Sequence, residues 1–212
     1  MFSSYNHVIF DLDGTIIDSA YSLKFFIDKL RIEKGLEPYP IENYRKYSSE
    51  GGEVLISKSL NIDDKDEVNF YLAKFREIYL ENPIKGASIY PFIKELLNNL
   101  KERGVFVSLC TNKPNLLMLE VLKRTKLINF FDELISATEF GYKKPHKQSI
   151  EKIILTSKIT KEETVLIGDS EIDYLASFNA GIDFILFSSD YDTNFQSKYK
   201  GPTITSFSEL IQ

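Results

Sequence analysis

The chain has 212 residues, and its 26 Lys+Arg against 31 Asp+Glu give a formal charge of -5, too acidic for a surface built around nucleic-acid phosphates. Hydrophobic residues at 43% and charged residues at 27% are globular values, and a single Cys leaves no intramolecular disulfide. No apolar run approaches the roughly 18 residues of a membrane span, and residues 1–7 lack the layout of a signal peptide. The expectation is a soluble cytoplasmic monomer or homodimer with neither nucleic-acid nor membrane partners.

The first predicted strand is residues 7–12, a near-continuous apolar run of the kind buried on both faces of a parallel sheet. The stretch from Asp18 to about Pro83 contains no convincing strand and reads as helices near 20–34, 41–47, 52–60 and 65–81. The last of these is amphipathic, with Val68, Tyr71, Leu72, Phe75, Ile78 and Tyr79 on one side. A helical block of this length exceeds a crossover, so residues 18–83 are expected to form an inserted cap, with 1–17 and 84–212 as the core. The other possibility is that these helices pack on the sheet within one domain.

Beyond the cap, Phe92, Ile93, Leu96, Leu97 and Leu100 mark a helix that Gly104 ends. Apolar strands follow at 105–110, 164–167 and 183–187, with a weaker one at 133–136, and helical segments near Leu116 and Ile150 lie between. Strands alternating with helices predict an α/β fold: an open parallel, Rossmann-like sheet with right-handed crossovers.

Ligands of such sheets bind outside the carboxyl ends of the strands. The residues found there are Asp11-Leu12-Asp13-Gly14-Thr15, Thr111-Asn112-Lys113-Pro114, Lys143-Lys144-Pro145-His146, and Gly168-Asp169-Ser170 with Asp173. Each alone has a plainer reading: a turn, a helix cap, a solvated charge pair. Four in order, each after a strand, make coincidence improbable. Clustered carboxylates need a cation among them, and an oxygen-only set in a chain nearly free of Cys and His suits Mg²⁺ better than zinc. Lys and Thr beside such an ion suit phosphoryl oxygens, and a carboxylate can itself be the nucleophile.

These four segments resemble the motifs of the haloacid dehalogenase superfamily of phosphohydrolases, and the helical insertion resembles its type-one cap. The resemblance covers essentially the whole chain. Residues 45–55, Thr111-Asn112-Lys113-Pro114 and Lys143-Lys144-Pro145-His146 are most similar to the phosphoglycolate phosphatase branch. Ser48-Ser49-Glu50 in the cap loop and Lys147 depart from that branch.

The resemblance implies a Mg²⁺-dependent phosphatase of a small phosphorylated metabolite, 2-phosphoglycolate first. Pyrophosphate, a nucleoside monophosphate, a sugar phosphate, a phosphomutase reaction and a catalytically idle binding module remain alternatives. Asp11 is implied as the nucleophile that becomes an aspartyl-phosphate, and Asp13 as the general acid and base. Thr111, Asn112 and Gly14 would hold phosphoryl oxygens, and Lys144 would offset the developing charge. Asp11, the Asp13 carbonyl and Asp169 would hold Mg²⁺, with Ser170 and Asp173 supporting them from behind. Arg45, Gly51 and Gly52 in the cap would contact substrate. His7 is expected to be structural, and Cys110 a small buried hydrophobe.

Overall fold

A computed structural model describes residues 2–48, 50–136 and 141–211, so Ser49 of the expected cap loop lies outside the described residues. The elements are β1 (His7–Phe10), β2 (Ile17–Asp18), α1 (Ala20–Glu33), α2 (Ile41–Ser48), α3 (Gly52–Leu60), α4 (Lys65–Glu81), β3 (Ser88–Ile89), α5 (Ile93–Glu102), β4 (Phe106–Thr111), α6 (Asn115–Arg124), β5 (Glu133–Ser136), α7 (Gln148–Ser157), β6 (Thr164–Gly168), α8 (Glu171–Ala180), β7 (Asp183–Phe187), α9 (Thr193–Gln196) and β8 (Thr203–Ile204).

Six strands form one parallel sheet in the order β5-β4-β1-β6-β7-β8. The chain builds outward from β1 through β4 to β5, then crosses to β6 on the other flank of β1. The switch in direction therefore falls at β1, whose carboxyl end is the expected binding crevice. The two faces of β1 are apolar: Val8 and Phe10 pack under α5 and α6, whereas Ile9 packs with α7 and α8. Both faces being covered explains why the strands read as continuous apolar runs.

Between β1 and β4, α1 to α4 pack on one another around Phe26, Ile27, Tyr44, Ile56, Leu60, Phe75 and Tyr79. Leu117 of α6 joins this cluster from the sheet side. The stripe along α4 predicted from its spacing is the buried face: Val68, Leu72, Phe75 and Tyr79 are all buried. Asp64 caps that helix, its side chain accepting from Glu67 N. The chain leaves and re-enters the sheet region through a two-stranded antiparallel ladder, Ile17 opposite Ile89 and Asp18 opposite Ser88. Neither of its strands, nor β8, is evident from sequence, because two residues carry no periodicity. The first strand is shorter than expected, since the chain turns after Phe10, and Thr111 belongs to β4. No described helix is long and apolar enough to cross a membrane.

His7 has the structural role expected of it. Its ring is fully buried, with Nε2 at 2.9 Å from Ser108 Oγ and its edge against Phe106. Burial pulls its pKa from 6.5 to about 4, with the charge of Asp132 weakly opposing. The folded state keeps His7 neutral while the unfolded chain takes up a proton below pH 6.5. Stability is therefore lost as pH falls from 6.5 towards 4, by about 2.5 kcal/mol at pH 4.5 from this group. In urea denaturation, His7→Gln should lose less stability than the wild type between pH 7.5 and 4.5, by about that amount. Identical losses would remove His7 as the source.

Candidate active site

The site is assembled from the carboxyl ends of β1, β4 and β6 and the loop before α7. The Asp11 amide donates to Ile167 O at 3.0 Å, which carries the pairing one residue past β1. The chain then turns back, with Ile16 and Ile17 amides on Leu12 O and the Gly14 amide on Ile17 O. Gly14 has φ +88°, and a Cβ there would lie 2.4 Å from Asp169 Oδ2. Only glycine permits this loop to lie against that carboxylate. Gly168 does the same for the neighbouring segment, since its Cβ would meet that of Asp173 at 2.5 Å.

Lys144 is buried and ties the cluster together. Its Nζ donates to Asp11 Oδ1 and to Asp173 Oδ1, each at 2.6 Å. Asn112 braces the Lys144 backbone, its Oδ1 accepting from Lys144 N at 2.8 Å and its Nδ2 donating to Lys144 O at 3.0 Å. Ser170 and Asp173 form a capping box on α8; Ser170 N and Oγ both donate to Asp173 Oδ2, at 3.2 and 2.6 Å. Thr15 Oγ1 donates to Asp169 Oδ1 at 2.9 Å. Lys113 Nζ lies 2.9 Å from both oxygens of Asp13. Thr111 is buried at the end of β4, its Oγ1 accepting from Lys113 N.

Burial raises the pKa of Asp11 to about 7, with Lys144 opposing and Asp173 adding to the rise. Asp169 is pushed well up, first by burial and then by Asp173 and Asp11. Burial alone would lower Lys144, but the Asp11 and Asp173 carboxylates outweigh it and keep the ammonium charged. Carboxylate oxygens of Asp11, Asp169 and Asp173 lie within 4.8 Å of one another, and the buried Asp169 Oδ2 has no hydrogen-bond partner. Counting Asp13 and the two lysines, four carboxylates face two ammonium groups. A divalent cation fits this all-oxygen cluster in charge and in donor type.

Asp11, Asp13, Thr111, Asn112, Lys144, Ser170 and Asp173 line one cleft with Gly51 and Gly52 of the helical block. The cleft encloses about 700 Å³ including its open mouth. Asp169 and Gly14 lie behind its floor. Arg45, expected at the substrate, is not in the lining: its guanidinium is 3.0 Å from Asp18 Oδ2 and 3.0 Å from Asp190 Oδ2, and these two carboxylates hold it away. The Asn112 side chain is engaged with the Lys144 peptide rather than the cleft. Also in the lining are Lys113, which belongs to the sequence motif after β4 but was assigned no role, and Arg76, which the sequence did not single out. The signals were a lysine two residues after the end of β4 and an arginine one turn from Leu72 on α4. Cys110 is buried as expected, its thiol pushed up to about 12 by burial. His146 stacks on Tyr142 and is absent from the lining.

Residues 8–187 match the family of haloacid dehalogenase-like hydrolases. The chain belongs to that family and is a phosphoric monoester hydrolase. It is 34% identical over 174 residues to the phosphoglycolate phosphatase of Aquifex aeolicus, covering 82% of this chain and 80% of the relative. Against the phosphoglycolate phosphatase of Pseudomonas putida it is 30% identical over 191 residues, covering 87% and 70%. A solved structure described as a predicted phosphoglycolate phosphatase from Haemophilus somnus superposes with a TM-score of 0.90 at 22% identity, over 98% of this chain and 96% of the other. A subfamily IA hydrolase of the same superfamily from Geobacter sulfurreducens gives 0.69 at 19% identity, over 91% and 96%. These likenesses agree with the α/β fold seen here.

Replacing Lys144 by Met should leave Asp11 and Asp173 facing each other without a counter-charge. Urea denaturation in EDTA at pH 7 should show a loss of about 3 kcal/mol. A loss near zero would mean that the cluster is held by something else.

Proposed function

We propose that this hydrolase cleaves a small phosphorylated metabolite, 2-phosphoglycolate first among candidates, with Mg²⁺ and through a phosphorylated Asp11. The observation that carries this reading is the pairing at the cleft floor. Asp11 is fixed by Lys144, and Asp13, two residues on, lines the same cleft with its carboxylate on Lys113. The choice of substrate is supported by the names of the relatives at 34% and 30% identity.

In the proposed reaction an Asp11 oxygen attacks phosphorus and the bond to the leaving oxygen breaks. Asp13 enters the turnover protonated, one oxygen having left Lys113 as the substrate binds, and gives the leaving oxygen that proton. Water then attacks the phosphorus of phospho-Asp11 and passes a proton to Asp13, so that inorganic phosphate leaves and both aspartates return to their starting state. Lys144 holds Asp11 in place and offsets charge on the transferring group. The Thr111 hydroxyl and the Asn112 backbone amide are the donors proposed for the phosphoryl oxygens; the Gly14 amide, expected beside them, is instead spent on Ile17 O. Asp11, Asp169 and the Asp13 carbonyl would hold Mg²⁺, and Asp173 would orient Lys144. When bound, the ion supplies charge stabilisation to the phosphoryl oxygens. Residues 18–83 would serve as a cap that shields the cleft of a core made of 1–17 and 84–212.

The test is kcat/KM for 2-phosphoglycolate, with and without Mg²⁺, beside p-nitrophenyl phosphate, pyrophosphate and nucleoside monophosphates. A strong Mg²⁺-dependent preference for 2-phosphoglycolate is expected, and a preference for another compound would overturn the substrate assignment. Asp11→Asn is nearly isosteric and should reduce turnover at least roughly 10³-fold with an unchanged circular dichroism spectrum. Retained turnover would refute Asp11 as nucleophile. Mg²⁺ should raise the Tm of the wild type and leave that of Asp169→Asn unmoved. An equal rise in both would take Asp169 out of the metal site.

A further inference from the structure

The cleft has two ends of unlike character. Its floor carries Asp11, Asp13 and Asp173, whose partners Lys113 and Lys144 are both already committed to them. Its roof comes from the helical block and is largely apolar, with Leu55, Leu72, Phe75 and Tyr79. One cationic side chain interrupts that roof among the described residues: Arg76 of α4. Among the described residues no hydrogen bond, ion pair or ring contact engages its guanidinium, whereas Arg45 and Arg124 each sit on a carboxylate.

Gly52 lies beside the Arg76 guanidinium. A Cβ on Gly52 would stand 3.0 Å from Leu72 Cδ1 and 3.8 Å from Arg76 Nη2, so a larger residue there would crowd the approach. On the other flank of the same glycine pair, Lys143 Nζ is 3.3 Å from where a Gly51 Cβ would be, and among the described residues it pairs with no carboxylate. Arg76 in the roof and Lys143 beside Gly51 thus stand above the floor carboxylates without a carboxylate partner among the described residues.

A substrate that carries a second anionic group meets a constraint here. Its phosphoryl group must go to the floor, where the donors and the nucleophile are. Its other anion is repelled by the floor carboxylates and turns towards the roof. A guanidinium is the side chain that matches a carboxylate with two parallel N–H donors. We infer that Arg76 receives the non-reacting carboxylate of the substrate, and so selects phosphorylated acids over phosphorylated alcohols of the same length. This rests on the substrate reading above and names the residue that enforces it. Arg76 is exposed, so water competes for it, and its expected effect is roughly 10- to 100-fold, the range of a single charge-assisted hydrogen-bonded contact.

The experiment compares kcat/KM for 2-phosphoglycolate, 2-hydroxyethyl phosphate and phosphoethanolamine in the wild type, Arg76→Ala, Arg76→Lys and Arg76→Glu. The wild type should prefer the acid over the alcohol. In Arg76→Ala that ratio should fall at least tenfold, mainly through KM, and Arg76→Lys should restore part of it. Arg76→Glu should shift preference from 2-phosphoglycolate towards phosphoethanolamine, a gain that damage to the fold would not produce. If the wild type prefers the acid and both Arg76→Ala and Arg76→Glu keep that preference, the assignment of Arg76 is overturned while the substrate reading stands. If the wild type shows no preference for the acid, both fall together.

Discussion

The constraint on which this structure depends is an imbalance of charge in a place with little water. Four carboxylates meet at the carboxyl edge of the sheet, and three of them, Asp11, Asp169 and Asp173, are buried. Two ammonium groups answer them, and Lys144 reaches two carboxylates at once. Burying such groups unpaired is costly, so much of the local structure serves to satisfy them. The Gly14 and Gly168 positions, the capping box on α8 and the Asn112 brace on Lys144 all read as answers to that demand. The pairing stops short of completion at Asp169 Oδ2, which is where a hard cation has a use.

Topology explains why the groups meet. None of the contributing segments is adjacent in sequence, yet β1 lies between β4 and β6, and each turns towards the same edge as it ends. The sheet core, apolar on both faces, holds these three ends in register. The helical block supplies most of the roof, and its own core of aromatic and aliphatic side chains keeps α3 and α4 at a fixed spacing above the floor.

The sequence made the core of the site legible for a simple reason. Asp11, Asp13, Thr111 and Asp169 each follow a run of apolar residues, so their position at a strand end could be read from local pattern, whereas Lys144, in the loop before α7, was marked only by the motif around it. The helices of the insertion were legible for the same reason, since the spacing along α4 exposes its buried stripe. What pattern cannot report is which distant group a side chain meets. Arg45 sits beside the cap loop in sequence but is drawn off by Asp18 and Asp190, which lie 27 and 145 positions away. Arg76 sits on the stripe of α4, but only the packing of α3 and α4 reveals that this part of the stripe faces the cleft. Lys113 is likewise defined by a partner, Asp13, 100 residues earlier.

The short ladder of β2 and β3 brings the beginning and end of the inserted segment face to face, Ile17 opposite Ile89. From the viewpoint of the sheet, the whole helical block is thus attached at close to a single point. Elsewhere the block meets the sheet side through Leu117 of α6 and the Arg45–Asp190 ion pair, whereas β1, β4 and β6 pair with one another without it. Under the proposed reading, the groups that handle phosphorus and those that would discriminate among substrates therefore come from different stretches of one chain, joined at this ladder.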